Sequence, residues 1–215
     1  MTLTLHAHPL SSYCWKALLA LYENDTPFDY RQLDPMDPEA HSAFVALWPI
    51  AKFPVLVDDG RVVAETSIII EHLVLHHLGP VRLIPEDPDA ALEVRLLDRI
   101  FDNYVMTPMS RIVFERFRAD GHRDPGAVES AHKLIATARA WLETRLEGRA
   151  WAAGEDFSLA DCAAAPSLHY AEKVQPSEGR FPTLAAYLDR LEARPSFARV
   201  LKEAEPYAHM FPSGD

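Results

Sequence analysis

The chain has 215 residues, which at about 150 residues per domain suits one large domain or two small ones. Hydrophobic residues make up 48% and charged residues 25%, a globular balance that excludes a disordered chain. The formal net charge of −11 excludes phosphate backbones and anionic lipid as default partners, so neither nucleic acid nor a membrane is expected.

Residues 2–6 alternate polar and apolar side chains as a short strand does, and His8-Pro9 ends it because proline cannot donate to a ladder. Ser11-Ser12 then supplies an N-cap for a helix over 15–24, where Ala17, Leu18, Leu21 and Tyr22 recur at helical spacing. A second strand is predicted over 28–33, and a short helix over 38–48 opened by Asp37. Residues 54–57 and 61–64 flank Asp58-Asp59-Gly60, an Asp-Gly hairpin signal between β-branched runs. An apolar helix over 66–78 follows, closed by Gly79-Pro80.

Three prolines and a glycine fall within 79–88, which is linker composition. Beyond it, residues 89–118, 125–146, 159–173, 182–193 and 196–204 carry apolar side chains at i, i+3, i+4 spacing. The division expected is a small mixed-sheet domain over 1–79, a linker over 80–88 and an all-helical domain over 89–215.

The two cysteines, Cys14 and Cys162, are too few for a disulfide scaffold or a cysteine zinc site, and suit a reducing cytoplasm. No secretory signal opens the chain, and no apolar run approaches the ~20 residues of a membrane span. Ten histidines are scattered, and the adjacent His76 and His77 would point in different directions on a helix, so no metal site is expected.

This order of elements, with four local motifs, resembles the cytosolic glutathione S-transferases, in a serine-type, bacterial and zeta-theta-like form. The first motif is Ser11-Ser12-Tyr13-Cys14-Trp15-Lys16 at a strand-to-helix junction, similar to the Ser-Ser-Cys-Ser-Trp-Arg run of zeta-class members. The second, Trp48-Pro49-Ile50-Ala51-Lys52-Phe53-Pro54-Val55-Leu56, is similar to N-P-x-G-K-[VI]-P-x-L, with Trp48 and Ala51 departing from Asn and Gly. The third is Glu65-Thr66-Ser67, which resembles the family's E-S-x-A, and the fourth runs from Gly154 to Asp161, matching G-x-x-[FY]-[ST]-x-A-D.

The fold implied is a thioredoxin-like N-terminal domain with a C-terminal helical bundle. The activity implied is transfer of glutathione to a small hydrophobic electrophile, with glutathione as co-substrate and no metal. Position by position, Ser11 would donate a hydrogen bond to the glutathione sulfur, with Ser12 the neighbouring candidate and simple helix capping the plainer role for both. Phe53, before a cis-Pro54, would pair its backbone with the tripeptide. Lys52 would meet the glycine carboxylate, Glu65 the γ-glutamyl ammonium and Thr66 its carboxylate. Tyr104, Met109 and Arg111 would line the second-substrate pocket, with Tyr207, Met210 and Phe211 folding over it.

Cys14 is expected to be buried rather than reactive through a mixed disulfide, and Tyr13 offers a phenol nearby. Ser158 and Asp161 form a capping box for a core helix. The resemblance also implies a homodimer. Two other activities remain open at this point: glutathione-dependent isomerisation of the maleylacetoacetate type, and a non-enzymatic binding module of the same fold.

Overall fold

The computed structural model describes residues 3–34, 37–119 and 121–212. Strand β1 (Leu3–Ala7) buries Leu3, Leu5 and Ala7 on one face, as its alternation predicts, while Thr2 lies outside the described residues. Because β1 pairs in parallel with β2 (Asp29–Gln32), a crossover is required, and α1 (Ser12–Glu23) provides it. On its other side β1 runs antiparallel to β3 (Val55–Asp58), which turns back into β4 (Arg61–Ala64), giving the sheet order β2-β1-β3-β4. Asp59 and Gly60 take φ of 44° and 89°, the left-handed pair that a tight hairpin turn demands.

Helix α1 is buried nearly all round, from Cys14 to Leu21, rather than along the single stripe its spacing suggests. The helical half covers the face that would otherwise meet water: α1 packs against α3 (Thr66–His76) and also against α7 (Leu159–Val174) and α9 (Pro195–Ala204). Helix α2 (Pro38–Leu47) opens as predicted, with Asp37 accepting the Glu39 and Ala40 N–H groups at 3.0 Å each. Helix α3 stops short of the expected Leu78, because His77 leaves helical geometry at φ −135°, ψ 61°. Gly79 then runs so close to Asn24 that a Cβ would lie 2.4 Å from that side chain.

The single helix expected over 89–118 is three segments. Helix α4 (Pro88–Ile100) and α5 (Thr107–Arg116) are joined by Phe101–Met106, wound as a π-helix. Pro108 has no N–H to give the carbonyl four residues back, and widening the preceding turn accommodates that loss without breaking the rod. Helices α6 (Pro125–Arg145), α7, α8 (Pro182–Glu192) and α9 complete the bundle, ending in a 3₁₀ turn at Glu205–Met210. This is the thioredoxin-like sheet plus helical bundle that the sequence implies.

The capping box at the start of α7 forms as read. Asp161, fully buried, accepts from the Ser158 and Ala152 backbones at 2.8 Å, from Ser158 Oγ at 2.9 Å and from Tyr187 at 2.5 Å. Phe157 packs edge-on to Trp151, with the Arg194 guanidinium over its ring at 4.1 Å.

Candidate functional site

Strand direction gathers the site. The C-terminal end of β1, the start of β3 and the end of β4 lie together, since His6 pairs with Val55 and Val55 with Ala64. The Ser11 turn follows β1, Phe53-Pro54 precedes β3, and Glu65-Thr66 follows β4, so three of the four motifs converge on one end of the sheet.

Ser11 is the N-cap of α1, with its Oγ accepting the Cys14 N–H at 3.3 Å. A hydroxyl has one proton and two lone pairs, so accepting that bond leaves the O–H free to donate. Among the described residues, none accepts from the backbone N–H groups of Ser12 and Tyr13. A helix start with two free donors, the positive end of its dipole and a hydroxyl that keeps its own proton is a seat for an anion. Ser11 is half-buried whereas Ser12 is only 7% exposed, so Ser11 is the more accessible of the two hydroxyls.

Cys14 points into the core and is fully buried. Burial pushes its thiol up to about 12, beyond what the bonds from Ser11 and the His8 amide recover, so it stays protonated near neutrality. Tyr13 instead reaches across to the helical half, its hydroxyl 3.0 Å from Thr107 Oγ1. Burial raises its phenol, outweighing the Thr107 bond, so that group is also protonated.

The Phe53–Pro54 peptide is cis, and no described residue engages the Phe53 backbone. The Phe53 ring stacks on His8 at 5.9 Å. His8 Nδ1 accepts the Leu10 N–H at 3.2 Å, which puts the proton of a neutral ring on Nε2; burial lowers its pKa, partly offset by Asp34. Ala51, at the family's glycine position, keeps the left-handed backbone at φ 56°. Lys52 is exposed and makes no ion pair with a described residue.

Glu65 is exposed and held at φ 68°, ψ 119°, a region costly for a residue with a Cβ. Its side chain makes no cap bond, while buried Thr66 opens α3.

Next to Thr66, Ser67 joins a buried charge cluster. Lys16, completely buried in α1, is 2.5 Å from Asp98 Oδ1 and 2.7 Å from Asp102 Oδ2, and donates to Ser67 Oγ at 2.9 Å. Ser67 donates in turn to Asp98 at 2.8 Å, and Arg99 reaches both aspartates and Ser67 from the solvent side. Burial pushes the Asp102 carboxyl up against the pull of Lys16. The available signal was a lysine in an otherwise apolar helix, matched by carboxylates at i, i+4 on a later one.

The second-substrate residues divide. Tyr104 and Arg111 are exposed two turns apart with Thr107 between them, on one face. Met109 is not on it: this side chain is 3% exposed and packs in the core, because two positions' separation from Thr107 rotates it to the opposite side of the helix. At the C-terminus Phe211 stacks on Tyr170 and Tyr207 donates to Gln32 at 2.9 Å, so both are anchored, while Met210 is exposed.

Residues 5–80 match the glutathione S-transferase N-terminal domain family and residues 105–195 the glutathione S-transferase C-terminal domain family. The chain belongs to the glutathione S-transferase family. It is 31% identical to FtsZ-localized protein A of Caulobacter vibrioides, over 94% of this chain and 92% of that one. It is 29% identical to a probable maleylacetoacetate isomerase of Vibrio cholerae, over 97% and 99%. A glutathione S-transferase from Methylobacterium radiotolerans, solved in complex with glutathione sulfonate, superposes with a TM-score of 0.82 at 32% identity, covering 93% of this chain and 94% of that one. Among the described residues no helix of this glutathione S-transferase family member is long and apolar enough to cross a membrane.

Proposed function

We propose that the protein is a serine-type glutathione transferase, which holds the tripeptide's sulfur as a thiolate and directs it at an electrophilic carbon. The observation that carries this reading is the start of α1: two free N–H groups and a donor-competent Ser11 hydroxyl at the end of the sheet where Phe53 and Glu65 also lie. Ser11 donates to the sulfur, with Ser12 behind it. The Phe53 backbone pairs with the cysteinyl unit in antiparallel fashion. Lys52 takes the glycine carboxylate, Glu65 the ammonium and the Thr66 hydroxyl with its helix start the γ-glutamyl carboxylate.

A small hydrophobic electrophile lies against Tyr104, Arg111 and the Tyr13–Thr107 pair. The thiol proton leaves to solvent, the carbon–sulfur bond forms, and a leaving group such as halide departs with its electron pair. Electrostatic stabilisation and proximity supply the rate.

Ultraviolet titration of the bound thiolate tests this. The expected result is a pKa for bound glutathione below the ~8.5 of a free cysteine-type thiol, with a loss of about 10²-fold in conjugation for Ser11→Ala. Unchanged conjugation in both Ser11→Ala and Ser12→Ala overturns it.

Two further readings have specific support. The likeness to a probable maleylacetoacetate isomerase, with exposed Arg111 available to an anion, favours reversible thiolate addition to a cis-conjugated diacid. Turnover of such a diacid against a chlorinated aromatic separates the two reactions. The likeness to a relative named for localisation with FtsZ rather than for a reaction favours a binding module; failure to be retained on immobilised glutathione, with no thiol chemistry, selects it.

We also propose a homodimer in a cytoplasmic setting. Ile68, Leu75 and Leu78 on or just past α3, and Leu92 and Leu96 on α4, are exposed large apolar side chains. Glu71 and Arg95 bridge the two helices, Arg95 donating at 2.8 and 3.1 Å, so these stripes form one apolar face with a charged centre.

A further inference from the structure

At the opposite end of the sheet from the glutathione site, β3 finishes at Asp58, which pairs with Leu3 at the start of β1. Asp58 Oδ2 is 2.8 Å from His72 Nε2 and 2.8 Å from His77 Nε2. All three side chains are largely out of water, with exposures of 13%, 6% and 13% for Asp58, His72 and His77. The sequence expectation of no metal site rested on the histidines being scattered and on His76 and His77 pointing in different directions, yet both rings lie near His72, at centroid distances of 4.5 and 6.0 Å. What periodicity could not show is that His77, by leaving the helix at φ −135°, swings its ring back beside His72, one turn and more earlier, and onto the hairpin.

We propose that Asp58 Oδ2, His72 Nε2 and His77 Nε2 form a binding site for a divalent transition metal of the zinc class, with solvent completing the shell. Two imidazoles and one carboxylate are a donor set suited to a borderline cation, and soft sulfur ligands are absent because both cysteines are buried elsewhere. The three ligand atoms all lie within 4.8 Å of one another. Closing them onto an ion at zinc's bond lengths of ~2.0–2.2 Å takes ring movements of roughly 1 Å, within reach of a helix end and a hairpin tip.

In the metal-free protein a carboxylate accepts only, so each ring gives its Nε2–H to Asp58. Metal capture moves each Nε2 proton to Nδ1, or releases it where Nδ1 is already protonated. The occupied site would clamp the β3–β4 hairpin to the C-terminus of α3. His76 is outside the set: it is exposed and its ring lies against His72 at a centroid distance of 4.5 Å.

The test uses tag-free full-length protein, stripped with chelator and dialysed against zinc chloride or cobalt chloride alone. One zinc per chain is expected, together with a cobalt visible spectrum of low-coordinate type. At zinc a hundredfold above its Kd the melting temperature should rise by about 5 °C or more.

His77→Gln and Asp58→Asn should each weaken binding at least tenfold, while His76→Gln should leave it unchanged. Circular dichroism of each variant establishes that it is folded. Absence of stoichiometric zinc in the unaltered protein, or equal zinc uptake by folded His77→Gln and Asp58→Asn, overturns the site; loss of uptake in His76→Gln overturns this ligand set.

Discussion

Trp15 and Tyr170, whose ring centroids are 4.7 Å apart, hold the two carbonyls that precede Ser11: Trp15 Nε1 donates to Pro9 at 2.6 Å and the Tyr170 hydroxyl to Leu10 at 2.9 Å. One residue belongs to α1 and the other to α7, so the turn carrying the proposed sulfur donor is fixed jointly by both halves of the protein. Phe211 stacks on Tyr170 from the C-terminal segment, extending that support.

Tyr170→Phe therefore removes one bond from that turn while keeping the ring. The expected cost is about 1 kcal/mol in urea unfolding. Conjugation should fall several-fold, through kcat rather than through the KM for glutathione, because the loosened group is the sulfur donor and not the tripeptide's anchors. An unchanged kcat would show that the Ser11 turn is held without Tyr170.

Among the described residues Lys16 and half-exposed Arg99 are the cations paired with the two buried carboxylates Asp98 and Asp102, and Lys16→Met strips the buried one. Leaving a buried charge uncompensated costs about 3–5 kcal/mol, so this variant should be among the most destabilised single substitutions in the protein. Adding Asp102→Asn should recover part of the loss, and a double-mutant cycle in urea measures the coupling. Simple additivity would mean the cluster does not act as a unit.

Neither Cys14 nor Cys162 should react with iodoacetamide in the native protein at about pH 8, since the nucleophile is the thiolate and burial raises both thiols, Cys14 to about 12. Both should label once denatured, as mass spectrometry would record. Native labelling of Cys14 would revive the mixed-disulfide chemistry that its burial argues against.

How far the sequence was legible depended on whether a feature is local. The Asp-Gly hairpin, the Asp37 cap and the Ser158–Asp161 box were read correctly because each is set by neighbours within four residues. The break at Phe101–Met106 was missed because apolar spacing does not register a π turn, although Pro108 was there to see. The family resemblance implied a pocket position for Met109, and only its angular position relative to Thr107 and Arg111 puts it in the core. Lys16 with Asp98 and Asp102, and Asp58 with His72 and His77, required the packing of separate elements, which no single-sequence period contains.

The exposed leucines of α3 and α4 predict an oligomer that one charge can split. Leu75 is 72% exposed and Leu92 63%, so Leu75→Arg or Leu92→Arg should leave the folded chain intact. Light scattering should then show a shift from two chains to one, since an unpaired charge at the centre of an apolar interface is costly. Dimers persisting in both variants would move the interface elsewhere.

Glu143 of α6 caps α8 from outside, where Phe181 offers no side-chain cap: its Oε1 accepts the Thr183 N–H at 2.8 Å and Oε2 the Leu184 N–H at 2.9 Å. Burial pushes the carboxyl up, but the two backbone donations and the Thr183 hydroxyl together bring it below its ordinary value. The unfolded chain then binds more protons than the folded one between the depressed and ordinary pKa values. The stabilisation is complete above the ordinary carboxylate value and is lost as pH falls through the depressed one. Glu143→Gln should cost about 1 kcal/mol near neutrality, and urea midpoints measured from about pH 7 to about pH 3 should show the gap to the unaltered protein narrowing on the acid side. A gap that stays constant would mean the carboxylate's charge contributes nothing to the cap.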